Sequence, residues 1–300
     1  MNVIETHGLT KTYSRRRVVD DLNMCVRQGD IYGFVGKNGS GKSTTMKMIC
    51  GLATPTAGDV LLFGGTEGHA RIGALIEEPG LLKNLTAHQN LMAKALATGI
   101  VDAPHQCTQL LATVGLDPHS RKKVAGFSLG MRQRLGLALA LLGSPDVLLL
   151  DEPFNGLDPE GVRDMRNLIM RLNEVLGTTV LVSSHVLDQL DRMATRYGVI
   201  ASGHMVREMT AEQAQAECRD SLRVRTADPA RALAVLQDKM PGLTLHVEPD
   251  GAIVIANVRD ATAIAQLLQE SGQLVLELVV RQRDIEEYFL GLMNGGERHV

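Results

Sequence analysis

The chain has 300 residues, with 31 basic against 34 acidic side chains and 3% aromatic residues, none of them tryptophan. Such a balance argues against a broad electrostatic footprint for duplex nucleic acid or anionic lipid, and so few rings leave little on which single-stranded bases could stack. The four cysteines, Cys25, Cys50, Cys107 and Cys218, form no Cys-x-x-Cys pair, and no run reaches the roughly 18 apolar residues of a membrane span, so reduced cytosolic thiols and a chain without its own membrane anchor are expected.

In chain order, residues 31–35 (IYGFV) form a short apolar run that ends in a Gly-rich loop, and STTMKMICGL then reads as a helix stopped near Gly51 and Pro55. Residues 86–98 and 104–114 read as helices, a helical insertion in an α/β domain. The continuous apolar runs at 146–150 and 179–182 fit parallel strands covered on both faces. After about residue 215 the pattern becomes SLRVRT, PARALAVLQDKM, LTLHVEP, an Asp250-Gly251 turn, AIVIANV, ATAIAQLLQESG and LVLELVV, closed by DIEEYFLGLM. That order is β-α-β-β-α-β, so a small α+β ferredoxin-like domain is expected over residues 216–300, after a larger domain over 1–215.

Gly36-Lys37-Asn38-Gly39-Ser40-Gly41-Lys42-Ser43 fits the phosphate-loop pattern G-x-x-x-x-G-K-[ST] at every fixed position, between an expected strand and an expected helix. The glycines let backbone N–H groups curl round phosphates at a helix N-terminus. Lys42 would reach the β and γ phosphates, and the Ser43 hydroxyl could ligate Mg²⁺, with Thr44 next along the helix. Asp151 and Glu152 follow the run VLLL, so both carboxylates leave a buried strand near that loop. In-line attack on a γ-phosphoryl group needs a charge-neutralising metal and an oriented water; Asp151 is assigned to the metal and Glu152 to the water. Taken alone, Asp-Glu-Pro is also a plain strand exit.

Phe127-Ser128-Leu129-Gly130-Met131-Arg132-Gln133-Arg134 precedes that strand, Asn155-Gly156-Leu157-Asp158 follows it, and Ser183-Ser184-His185 comes later. Phosphate loop, Ser-x-Gly signature, Asp-Glu pair, Gly-Leu-Asp and switch histidine in this order resemble the ATP-binding cassette of ABC transporters over residues 3–210. SLGMRQRLGLALALL and DEPFNGLDP are most similar to cassettes of bacitracin-resistance and lantibiotic-immunity type exporters, and the C-terminal extension resembles one found on drug and antibiotic exporter cassettes.

The resemblance implies a P-loop NTPase fold with a helical subdomain near 79–143. It implies that Ser128 and Gly130 cap a γ-phosphate bound by the other subunit, that His185 contacts that phosphate, and that Asp158 communicates between sites, although Asp-Pro is also a helix start. Tyr13 stands where the family places a ring on adenine. Two departures are visible: Leu129 and Met131 replace the family's usual Gly and Gln in the signature, and Glu77 stands where most cassettes have Gln. Lantibiotic-immunity type cassettes carry this Glu. A carboxylate can still ligate Mg²⁺ but cannot donate an amide hydrogen bond; Glu77 is equally readable as a solvated loop charge.

The expected function is therefore an ATP-hydrolysing subunit, with ATP and Mg²⁺, of an exporter of an antibiotic, peptide or other amphiphile. It would act as a homodimer, peripheral on the cytoplasmic membrane face against a separate transmembrane permease, with no nucleic-acid partner. A soluble ABC ATPase of translation or DNA repair is the alternative. Arg15-Arg16-Arg17 and Arg121-Lys122-Lys123 are read as solvated loops.

Overall fold

The computed structural model describes residues 1–65, 71–218, 221–256, 260–281 and 285–294. Its first part runs β1 (Asn2–Tyr13), β2 (Arg16–Arg27), β3 (Ile31–Val35), α1 (Lys42–Ile49), β4 (Ala57–Leu62), β5 (Ile72–Leu75), α2 (Ala87–Ala97), α3 (Ala103–Thr113) and α4 (Leu129–Leu141). It continues through β6 (Val147–Asp151), α5 (Pro159–Leu176), β7 (Thr179–Ser184), α6 (Asp188–Asp191), β8 (Arg196–Ala201) and β9 (His204–Thr210). Then follow α7 (Ala211–Glu217), β10 (Ser221–Thr226), α8 (Pro229–Lys239), β11 (Thr244–Val247), β12 (Ile253–Ala256), α9 (Ala261–Glu270), β13 (Val275–Arg281) and α10 (Ile285–Met293). Two compact units result: Met1–Ala211 with Gly291–Val300, and Glu212–Leu290.

In the first unit, β5-β6-β7-β3-β8-β9 form one sheet, parallel from β5 to β8 with β9 antiparallel on the end. All residues of β3, β6 and β7 are buried, which is why they read as unbroken apolar runs. A second, antiparallel sheet of order β2-β1-β4 supplies Val3, Leu9, Val19 and Leu22 to a core shared with Tyr32 and Phe34 of β3, Met46 of α1 and Leu149 of β6. The core therefore clamps α1, and with it the loop that feeds α1.

Helix ends follow local chemistry. Thr86 and Gln89 form a capping box that starts α2. Asp158 caps α5, Pro159 occupies its first turn, and Gly177 ends it in the left-handed conformation. Met165, Ile169 and Leu172 give α5 its single buried stripe. Helices α2, α3 and α4 make up the expected helical insertion.

The second unit is a four-stranded antiparallel sheet of order β11-β12-β10-β13, the pairing of a split βαβ unit, and Leu222, Val224, Ile253 and Ile255 pack with Leu236 of α8 and Leu268 of α9. Arg223, 7% exposed, is held by the carboxylates of Glu248, Glu277 and Asp250. The boundary between these compact units falls after Ala211. Asn257, Val258 and Asp284, which end or begin expected elements, lie outside the described residues.

Candidate active site

Three neighbouring strands, β3, β7 and β6, run parallel with their C-terminal ends level: Val35 is paired with Ser184 and Asp151 with Ser183. In such a sheet, ligands bind beyond the C-terminal strand ends. Everything that leaves these three strands is therefore delivered to one place.

From β3 the chain turns through the glycine-rich loop, tied to β7 by the Gly36 N–H donating to the Ser184 carbonyl (3.3 Å). Gly41 has φ 113°, and a Cβ there would lie 2.8 Å from the Val18 carbonyl oxygen, so only glycine fits the entry to α1. No side chain caps α1, which leaves its first N–H groups for an anion. Lys42, 5% exposed, folds back over the loop and donates to the carbonyls of Gly36 (2.7 Å) and Lys37 (3.3 Å). The Ser40 hydroxyl is buried without a hydrogen-bond partner. An orphaned hydroxyl, a buried ammonium and uncapped N–H groups around one turn suit a polyphosphate.

From β6 comes Asp151, 6% exposed, whose Oδ1 accepts from the Ser183 hydroxyl at 2.6 Å. The next residue, Glu152, takes a left-handed conformation with φ 50°. Its Oε2 lies 2.8 Å from His185 Nδ1, just beyond β7, and its Oε1 lies 3.3 Å from Lys42 Nζ. The latter contact is an ion pair without hydrogen-bond alignment, since Oε1 is buried and accepts no hydrogen bond. Lys42, Asp151, Glu152 and His185 thus converge as expected from their motifs.

Glu77 also has a left-handed backbone, φ 61°, and its exposed carboxylate pairs with Lys47 Nζ at 2.5 Å. Lys47 sits one turn beyond Ser43 on α1, and the hydrogen bond it donates to Glu77 raises its pKa. Among the described residues no cluster of three or more His, Cys, Asp or Glu forms a metal site. A cation would instead need mixed hard-oxygen donors, and the Ser43 hydroxyl with the Asp151 carboxylate, completed by phosphate oxygens, is a set that suits magnesium.

A second group gathers elsewhere in the unit. Ser128 caps α4, its Oγ accepting from the Met131 N–H at 3.3 Å, and Asp158 caps α5 by accepting from the Gly161 N–H at 2.9 Å. Both line a cleft of about 470 Å³ with Gly130, Gly156 and Leu157. Gly156 has φ 72°, and a Cβ on it would come within 2.7 Å of Leu129 Cδ2, so Leu129 at the departure from the signature pattern is seated on a bare glycine.

The phosphate loop lines a different cleft, of about 550 Å³, through Lys37, Asn38, Gly39 and Ser40. Arg16 and Arg17 belong to β2 and line that cleft too, which corrects their reading as loop charges. Tyr13 belongs to neither group: it is 48% exposed at the end of β1, with Lys11 Nζ 5.0 Å from its ring centroid. Sequence reasoning named Ser183 only as part of the Ser-Ser-His segment, with no role of its own, and passed over Lys47. Two polar residues closing a buried strand, and a lysine four places after Ser43 on α1, were the available signals.

Comparison with known proteins agrees with this geometry. Residues 19–155 match the family model for ABC transporters. The bacitracin transport ATP-binding protein BcrA of Bacillus licheniformis is 38% identical over 301 residues, covering 98% of this chain and 98% of its own length. The lantibiotic transport ATP-binding protein SrtF of Streptococcus pyogenes is 39% identical over 210 residues, 69% of this chain and 90% of that protein. Among solved structures, a dimeric post-hydrolysis state of the ATP-binding cassette MJ0796 bound to ADP and Pi superposes with a TM-score of 0.63 at 24% identity, covering 69% of this chain and 98% of that one. Likeness over essentially the whole chain to a transport protein favours the transporter reading over translation or DNA repair. With a relative that close end to end, and the phosphate loop and Asp-Glu pair meeting at one strand edge, the chain belongs to the ABC transporter family as its ATP-binding, ATP-hydrolysing cassette.

Proposed function

We propose that this cassette powers export of an antibiotic, peptide or other amphiphile through a separate membrane permease, working as a homodimer with ATP and Mg²⁺. Support for the cargo class comes from the names of the relatives, one a bacitracin and one a lantibiotic transport protein. Among the described residues no helix is long and apolar enough to cross a membrane, so a permease would have to supply the path. The cassette would then lie peripherally on the membrane's inner face.

The observation that carries the dimer is the division of the motif residues between two clefts. Lys42, Glu152 and His185 meet at the strand ends, while Ser128, Gly130 and Asp158 line a cleft of their own. The N-terminus of α4, with exposed Ser128 and half-buried Gly130, turns its positive dipole end to this cleft, and a second copy's γ-phosphate is the anion that the family supplies. Ser43 and Asp151 would hold the magnesium ion, with Glu77 free to join after leaving Lys47. When bound, that ion neutralises charge on the phosphates. Within the chain, Lys42 would exchange the Gly36 carbonyl and Glu152 for phosphate oxygens. Glu152, released from Lys42 but still on His185, would orient the attacking water and take its proton.

Two measurements test this reading. Light scattering on the slow Glu152→Gln variant with ATP and magnesium should give a dimer that reverts without nucleotide, and a strict monomer at high concentration would count against shared sites. Co-expression with its genomic neighbours should bring the chain to the membrane fraction with a permease, and vesicles carrying both should move bacitracin-like peptides at the expense of ATP. A chain that stays away from membranes under those conditions would refute the transport role.

A further inference from the structure

In a strand buried on both faces, a hydroxyl has to find partners inside the protein. Ser183, fully buried near the end of β7, finds two, and both belong to the neighbouring strand end: its Oγ donates to Asp151 Oδ1 at 2.6 Å and accepts from the Glu152 N–H at 2.9 Å. One hydroxyl therefore grips the two consecutive carboxylate residues at the point where the chain leaves β6.

That point is strained. Glu152 is in the left-handed region, φ 50°, where a residue with a Cβ persists only if its surroundings hold it there. The hydrogen bond from its N–H to Ser183 Oγ is such a hold on the main chain, and the 2.8 Å contact with His185 holds the side chain. Both holds come from the end of β7, Ser183 within it and His185 just beyond it, two residues apart. Ser184, between them, faces another way, with its hydroxyl on the Val186 carbonyl and on Gln189.

We infer that Ser183 is a positioning residue of the hydrolytic centre: its hydroxyl fixes the left-handed turn that aims the Glu152 carboxylate at His185 and at the attacking water. The inference rests on the reading of Glu152 as the base. Ser183 itself is fully buried, with both its hydroxyl contacts on the Asp151-Glu152 pair. Because it acts through Glu152, its loss slows turnover while leaving the phosphate loop, which binds ATP, as it was.

The test compares Ser183→Ala, Ser183→Cys and Ser183→Thr in the full chain, and Ser183→Ala again in the Glu152→Gln background. Single-turnover phosphate release, ATP affinity at equilibrium and thermal melting are recorded for each. Misplacing a reacting group by a fraction of an ångström to an ångström costs up to about a hundredfold in rate. A fall in kcat of about tenfold to a hundredfold is therefore expected for Ser183→Ala with ATP affinity unchanged. Ser183→Cys, which keeps a weak donor and acceptor, should fall in between and cover the case of an unstable alanine variant, and Ser183→Thr should restore most of the rate. Adding Ser183→Ala to Glu152→Gln should change nothing further.

Three outcomes overturn the inference: full turnover in Ser183→Ala, a loss that tracks melting temperature and is not restored by threonine, or an equal loss in both backgrounds, which would place the effect on Asp151 instead. Failure of the base assignment looks different, since Glu152→Gln alone would then turn over ATP at the wild-type rate.

Discussion

Replacing Glu152 by glutamine separates binding from hydrolysis, and the structure gives the sign of both effects. Glutamine keeps the length and one carbonyl acceptor for His185, which stands 2.8 Å from Oε2, but it cannot take a proton. Loss of a general base lowers the rate by about 10²–10⁴, equivalent to about 3–5 kcal/mol on the barrier. Binding should move the other way. Lys42 Nζ lies 3.3 Å from Glu152 Oε1, both groups being largely buried. At an effective dielectric constant of about 20 that separation corresponds to a gross attraction of about 5 kcal/mol, of which desolvation and solvent competition leave a small net part. This attraction competes with phosphate for the lysine, so removing the charge should tighten ATP binding severalfold. Stopped-flow phosphate release and titration calorimetry with ATP, on the same preparation, read the two quantities. Wild-type turnover would refute Glu152 as the base, and weakened ATP binding would refute the competition for Lys42.

Lys47→Met should free Glu77 from its ion pair; an exposed pair is worth about 0.2–1 kcal/mol, so the magnesium concentration for half-maximal ATPase should fall by up to about fivefold. An unchanged magnesium titration would remove Glu77 from the metal's surroundings. Tyr32→Phe leaves Glu208 without the hydroxyl that donates to it at 2.5 Å beneath the core, a loss of about 1–3 kcal/mol, seen as a lower melting temperature with kcat unaltered. A chain ending at Ala211 loses the second unit together with Met293 and Asn294, which line the phosphate-loop cleft, and is expected to fold and still bind ATP; normal circular dichroism without ATP binding would show that the nucleotide site needs residues beyond Ala211.

What could be read in the sequence was what is contiguous. The phosphate loop, the Asp151-Glu152 pair and the Ser128 helix start each declare themselves within eight residues, because one turn or one strand end makes each of them. Contacts made across strands were hidden. Nothing local announces that Ser183 reaches Asp151 and Glu152, since that depends on β6 and β7 lying side by side in a given register. Nor does RRVVDDLNMCVR read as a strand with Arg16 and Arg17 beside the phosphate loop: its interior Asp20 and Asp21 break the alternation, and only pairing with β1 fixes it. The left-handed backbone at Glu77 and Glu152 is likewise invisible where no glycine marks it. In the second unit, by contrast, alternating runs separated by Asp250-Gly251 were enough to anticipate β10 to β13, because register there is set by a hairpin and by one apolar face.

Gly156 answers to two demands of unequal weight. Leu129 Cδ2 stands 2.7 Å from where its β-carbon would be, but that methyl is the free end of a 38% exposed side chain and can turn away. The left-handed backbone at 156, φ 72°, has no such escape and disfavours any side chain there. Shrinking Leu129 would therefore not by itself license a larger residue at 156, and a loop grafted from another cassette has to bring its glycine with it.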